Sequence, residues 1–191
     1  MARMNPTTDL LSVEDYLAGE NDGTLRHEFV AGMVYATAGA SERHNVIKLN
    51  VASYLNGAVT DVCRVFDGDM KLRVDDDVDT RFYYPDVFVS CSAADGEQYY
   101  RTDAVLVIEV LSPTTKRADR YEKFEAYKRL PSLSEYVLIE QEFPRVEIFR
   151  RRTGWQRDLY QPGDVIPLES VSQSLTFDLI YRRVNFALGS G

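Results

Sequence analysis

The run AVLVIEVL, residues 104–111, constrains this chain more than any other segment. All of its side chains but one are apolar, so as a strand it has no wet face and requires cover on both sides. That puts it inside a sheet with helices outside, an α/β arrangement. The exception is Glu109, set between Ile108 and Val110. A carboxylate there needs an ion partner, hydrogen bonds or a cation, because an isolated buried charge is costly and Glu is seldom buried alone.

The flanking pattern supplies more strands and three helices. Ser12, followed by Glu14 and Asp15, suits the start of a short helix. LRHEFV and MVYATA flank Ala31 and Gly32, which reads as a tight hairpin. Ser41 is placed to cap a second helix whose apolar face runs through Val46, Ile47, Leu49, Val51, Tyr54 and Leu55, with Asn56 and Gly57 as its stop. VCRVF and MKLRV follow as strands, then RFYYPDVFVSC. Pro85 cannot donate to a ladder, so Asp86 stands where a strand begins. After Ser112 and Pro113 the segment ADRYEKFEAYKRL is expected to be a helix ended by Pro131, and EYVLIEQ, RVEIFRR and GWQRDLYQ return to strands. Phe177 to Leu188 is expected to form a terminal helix or a helix-strand mixture.

At 191 residues the chain suits a single domain spanning 1–191, with residues 1–10 flexible. No run is long and apolar enough to cross a bilayer, and the polar start lacks the apolar region of a secretory signal. Cys63 and Cys91 sit among apolar neighbours and read as buried thiols in a reducing cytosol, which points to a cytoplasmic protein. With only His27 and His44 beside them, a zinc site is not expected. The formal charge of -8 opposes strong non-specific attraction to phosphate backbones, although a local basic surface or a cation can reverse the sign inside a cleft. Asp75, Asp76, Asp77 and Asp79 read as a solvated hairpin loop.

Asp86 joins Glu109 in the sharper reading. Two carboxylates at the ends of neighbouring strands can converge on Mg²⁺ or Mn²⁺, with the carbonyl of Val110 as another oxygen ligand. Helical spacing places Asp119, Lys123, Ala126 and Leu130 on one side of their helix. Lys123 either forms an i,i+4 pair with Asp119 or reaches the Glu109 strand, where it holds or activates a water as its pKa falls near positive charge. Glu28 is either an inward strand acid or a solvent-facing one. His44, at the start of the long helix, can contact a phosphate, orient a carboxylate or cap the helix. Arg150, Arg151, Arg152 and Arg157 are candidates for phosphate contacts or an exposed charged turn.

Taken together, HEFVAGMVY at 27–35, His44, YPDVFV at 84–89, VLVIEVLSPTTKRADRYEKFEAY at 105–127 and SEYVLIE at 134–140 resemble the Uma2 family of restriction-endonuclease-like proteins, formerly DUF820, within the PD-(D/E)xK nuclease superfamily. The resemblance runs from about Leu11 to Leu179. It implies a mixed central sheet flanked by helices, a homodimer, and metal-dependent hydrolysis of phosphodiester bonds with DNA as the preferred substrate. Carried residue by residue, it implies Glu28, Asp86, Glu109 and Lys123 as the active centre, Asp86, Glu109 and Val110 as metal ligands, and His44 and Asp119 behind them. Val110 and Leu111 follow Glu109, so the lysine of the usual ExK pattern is absent and Lys123 resembles a displaced replacement. No organic cofactor is implied. Two other classes stay open: a nucleic-acid-binding module with weak or lost cleavage, and an interaction subunit in which Glu109 and Lys123 are a structural pair.

Overall fold

The structure is a computed structural model, and it describes residues 10–22, 25–37, 39–92 and 97–186. Residues 1–9, expected to be flexible, lie outside the described residues, as do 187–191 at the end of the expected terminal helix. The elements run α1 (Val13–Asp22), β1 (His27–Val30), β2 (Met33–Ala36), α2 (Glu42–Ala58), β3 (Arg64–Asp67), β4 (Lys71–Asp75), β5 (Thr80–Tyr83), β6 (Val87–Ser90), β7 (Tyr100–Arg101) and β8 (Leu106–Leu111). A π-helical turn, Ala118–Lys123, then leads into α3 (Phe124–Tyr127). It is followed by β9 (Glu135–Glu140), β10 (Val146–Arg150), β11 (Arg157–Tyr160), β12 (Val165–Leu168), β13 (Gln173–Thr176) and α4 (Phe177–Ile180).

β8 is buried at every position and lies inside a six-stranded sheet ordered β11-β10-β9-β8-β6-β3. It pairs parallel with β9 and antiparallel with β6, so the sheet is mixed. A second sheet, β2-β1-β5-β4-β7, packs on one face of the first. Alternation sorts the side chains. Leu106, Ile108, Val110, Val137 and Ile139 enter one core with Ile47, Val51 and Leu55 of α2 and with Ile180 of α4. Val107, Leu111, Tyr136 and Leu138 enter the other, with Leu72 and Tyr83 of the second sheet and Ala126 and Tyr127 of α3. Glu109 belongs by parity to this second face. On the far side of the second sheet, Phe29 and Phe82 pack on Tyr16 of α1.

RFYYPDVFVSC turns out to be two strands in two sheets. β5 ends at Tyr83, and the chain crosses through Tyr84, Pro85 and Asp86 into β6. A proline with no N–H ends one ladder where the next begins, and this crossing carries Asp86 into the space between the sheets. The acidic stretch is the β4–β5 hairpin connection, where Asp76 accepts from the amides of Val78 and Asp79.

Three expectations are corrected. Cys63 and Cys91 are bonded to each other, not free thiols, with Cα atoms 4.0 Å apart. The β3–β6 register sets Arg64 opposite Ser90, so the next residues outward, Cys63 and Cys91, face each other. The bond removes the support that free thiols lent to a cytosolic setting; no helix among the described residues is long and apolar enough to cross a membrane. The helix expected over 118–130 opens with a π-turn and ends at Tyr127. The terminal helix is a single turn, Phe177–Ile180, capped by Thr176.

Candidate active site

Asp86 and Glu109 meet because β6 and β8 are neighbours. Val87 pairs with Ile108, and one step further along the ladder sets Asp86 against Glu109. Each carboxylate is held by the backbone beside the other: the Val110 amide donates to Asp86 Oδ2 at 2.7 Å, and the Asp86 amide donates to Glu109 Oε2 at 3.1 Å. His44 arrives from the first turn of α2, where its own amide donates to the Ser41 hydroxyl cap. Its Nε2 lies 3.1 Å from Asp86 Oδ2.

Glu28 is on β1, opposite in parity to the buried Phe29, and so faces the six-stranded sheet. The π-turn supplies Lys123 and Asp119. Lys123 Nζ lies 2.8 Å from Glu28 Oε1, 3.4 Å from Asp119 Oδ1 and 3.6 Å from Glu109 Oε1. The i,i+4 pair and the reach to the Glu109 strand are therefore both present. π-turns cluster at functional sites, since the wider turn redirects side chains. Thus Glu28, His44, Asp86, Glu109, Asp119 and Lys123 come together at one junction between the sheets. The Val110 amide is part of it.

The electrostatics are unbalanced. Three carboxylates, those of Glu28, Glu109 and Asp119, lie within 3.6 Å of one lysine, Asp86 adjoins Glu109, and Glu109, Asp119 and Lys123 are all buried. Burial first, then the negative charge of Asp119, Asp86 and Glu28, pushes the Glu109 carboxyl well above its ordinary value despite Lys123. Asp119 is raised as well, chiefly by burial, with Lys123 and a Thr115 hydrogen bond working the other way. Burial alone would lower Lys123, but Glu109, Glu28 and Asp119 outweigh it and raise the amine well above its usual value. These three acids thus favour the ammonium form of this lysine. Two buried atoms of this site, His44 Nδ1 and Asp119 Oδ1, make no hydrogen bond, although the latter is the Asp119 oxygen 3.4 Å from Lys123 Nζ.

One participant escaped the sequence reading as a site residue. Tyr127 is fully buried and donates its hydroxyl to Glu109 Oε1 at 3.1 Å. Its spacing four residues after Lys123 was the available signal, but an aromatic on that face also reads as core. Of the two readings of the arginines, the exposed charged turn holds for Arg151, Arg152 and Arg157, while Arg150 is buried. Arg150 is buried against Glu135 at 2.8 Å. Arg151 donates to the carbonyls of Leu133, Lys128 and Leu130. Arg152 holds Glu169 with two bonds of 2.6 Å. These three are committed to the protein itself; Arg157 is exposed, 3.8 Å from Glu147.

Among the described residues, no three His, Cys, Asp or Glu side chains are arranged to hold a metal ion. A cation here would rest on Asp86 and Glu109, with backbone and water oxygens besides. That donor set suits Mg²⁺ or Mn²⁺, which take oxygen ligands and keep waters. The surplus negative charge fits the same group.

Comparison with known proteins agrees with this architecture. A crystal structure from Anabaena variabilis, titled as a putative nuclease belonging to DUF820, shares the fold with a TM-score of 0.72 at 15% identity, over 90% of this chain and 97% of that one. Two uncharacterized Synechocystis proteins align in sequence. The protein slr1290 is 33% identical over 181 residues, 92% of this chain and 94% of its own. The protein sll1609 is 34% identical over 149 residues, 76% of this chain and 83% of its own. The family model described as "Putative restriction endonuclease" matches residues 13–180, and the chain belongs to that family, Uma2.

Proposed function

We propose that this protein is a phosphodiester hydrolase that acts on DNA and depends on Mg²⁺ or Mn²⁺. The observation that carries the reading is the charge surplus: Glu28, Glu109 and Asp119 gathered round Lys123, with Asp86 beside Glu109. A purely structural pair needs one acid, and the additional buried carboxylates raise the cost of the ionised state.

Asp86 and Glu109 would hold the cation, with the Val110 carbonyl adjoining. The bound cation supplies Lewis acidity toward a phosphate oxygen and neutralises charge in the transition state. The remaining work belongs to the chain. Tyr127 fixes Glu109 through Oε1, and the Asp86 amide fixes Oε2. His44 and the Val110 amide both engage Asp86 Oδ2, which orients that carboxylate. Lys123, kept cationic by three acids, donates to the attacking water or to the phosphate oxygen as charge develops. Glu28 anchors that ammonium at 2.8 Å. The homodimer implied by the family resemblance has a candidate seam in β2, an edge strand exposing Met33, Val34 and Tyr35.

The test is incubation of labelled single- and double-stranded DNA and RNA with and without Mn²⁺. The reading expects DNA hydrolysis only with cation, reduced at least ~100-fold by Asp86→Ala, Glu109→Ala or Lys123→Ala in proteins that still fold. No cleavage anywhere in that panel would sink it. Binding that persists unchanged in chelator, without cleavage, would favour the binding-module class.

A further inference from the structure

A second group of basic side chains lies beside this centre, outside any role given above. Lys48 is on α2, one turn beyond His44 and on the same helical face. It is only partly exposed and forms no ion pair among the described residues. Arg26 approaches from the chain just before β1. Both converge on Gly68 in the β3–β4 connection. A Cβ built on Gly68 would lie 3.4 Å from Lys48 Nζ, 3.8 Å from Arg26 Nη1 and 3.9 Å from the carbonyl of Pro85, the residue before Asp86.

Gly68 is not among the positive-φ glycines, so the backbone there does not require glycine. Its missing side chain lets the two cations come close together over a buried stretch of backbone, next to the Pro85 carbonyl that precedes Asp86. Arg26 donates to the Gly68 carbonyl and pairs with Asp69 at 2.5 Å. That pair is exposed, 51% and 76% for the two side chains, and so is weak and displaceable in water. In a chain of net charge -8, two cations placed beside the acids meet a specific need. A polyanion must be drawn against the overall field to a place where carboxylates repel it.

We propose that Lys48 and Arg26, brought together over Gly68, form a clamp for a backbone phosphate of the DNA, adjacent to the phosphate that is cut. This rests on the hydrolase reading and names how its substrate is held. The clamp positions without reading sequence, as phosphate contacts do. Lys48 and Arg26 are positioning residues, and their loss acts on affinity.

The experiment is fluorescence anisotropy of a labelled DNA duplex in chelator, across a salt series. It compares the unaltered protein with Lys48→Gln, Arg26→Gln and Gly68→Asp. Lys48→Arg serves as rescue and Arg152→Gln, on a committed surface pair, as control. Thermal melts report folding. The clamp expects roughly five- to tenfold weaker binding for each of the first three and a salt slope shallower by about 0.9 for Lys48→Gln. Lys48→Arg should recover the affinity and Arg152→Gln should leave it unchanged. Equal binding by Lys48→Gln, an equal loss in Arg152→Gln, or no binding by the unaltered protein overturns the clamp. Where Mn²⁺ supports hydrolysis, Lys48→Gln raises KM and leaves kcat in place. Loss of affinity in the variants with no hydrolysis by any form keeps the clamp and removes the hydrolase reading.

Discussion

The central sheet carries a buried ionic cluster on each face, and they are built on opposite principles. On the α2 face, Glu135 and Arg150 are both buried and bond at 2.8 Å. The second Glu135 oxygen accepts from the Ser170 amide at 2.8 Å and the Ser170 hydroxyl at 2.5 Å. Arg150 also donates to the Pro167 carbonyl at 2.7 Å and pairs with Asp158 at 2.5 Å. The two buried charges are matched one to one, Asp158 and Glu169 beside Arg150 having exposed side chains, and neither buried residue has an orphaned atom among those described. On the other face two buried acids, Glu109 and Asp119, and the partly buried Glu28 share Lys123, Asp119 Oδ1 makes no hydrogen bond, and Glu109 is driven toward its neutral form. A cluster that closes on itself is structural; the one left short of positive charge is the one we propose a cation completes.

Stability separates the two most sharply. Glu135→Ala strands a buried guanidinium and should cost about 3–5 kcal/mol. Glu109→Gln keeps a side chain to accept from Tyr127 and leaves Lys123 with Glu28 and Asp119, so it should stay within about 1 kcal/mol of the unaltered protein. Urea unfolding measures both. An equal loss in the two variants would make the Glu109 cluster another structural pair.

The pH dependence follows with smaller effect. Glu147, also at the sheet, is held below its ordinary 4.5: burial raises it, but Arg120 bonds and charge outweigh burial. A lowered acid contributes stability above about pH 4.5 that is lost as pH falls through the folded value. Glu109 has the opposite sign. Its raised folded value means the folded protein takes up a proton above 4.5, so stability falls as pH rises through that window. Unfolding midpoints from about pH 3 to 8 should therefore show Glu109→Gln flattening the decline on the alkaline side, and Glu147→Gln flattening the acid limb alone. A Glu109→Gln profile parallel to that of the unaltered protein would contradict the charge surplus. Smallest is Tyr127→Phe, which removes one hydrogen bond to Glu109 and should cost about 1–2 kcal/mol while weakening cation binding; a change in stability without a change in cation affinity would leave Tyr127 as core alone.

What the sequence disclosed was local. The all-apolar β8 run exposed Glu109 as an anomaly, Pro85 placed Asp86 at a strand start, and helical spacing brought Asp119 and Lys123 to one side. What it concealed depended on register between distant strands. Cys63 faces Cys91 only because β3 pairs with β6. Arg150 and Arg152 find Glu135 and Glu169 across elements that no local pattern connects. The electrostatics of Lys123 were hidden for the same reason: they depend on how many acids arrive from β1, β8 and its own turn, and spacing along one helix counts only Asp119. The division of RFYYPDVFVSC between two sheets was likewise hidden, although its proline marked the place.

The account stands on the carboxylate centre accepting a cation. Calorimetric titration of Mn²⁺ into the unaltered protein and into Asp86→Asn, with folding checked by melting, asks this directly. The account predicts saturable binding in the former and its loss in the latter. No binding by the unaltered protein, or equal binding by both, would contradict it.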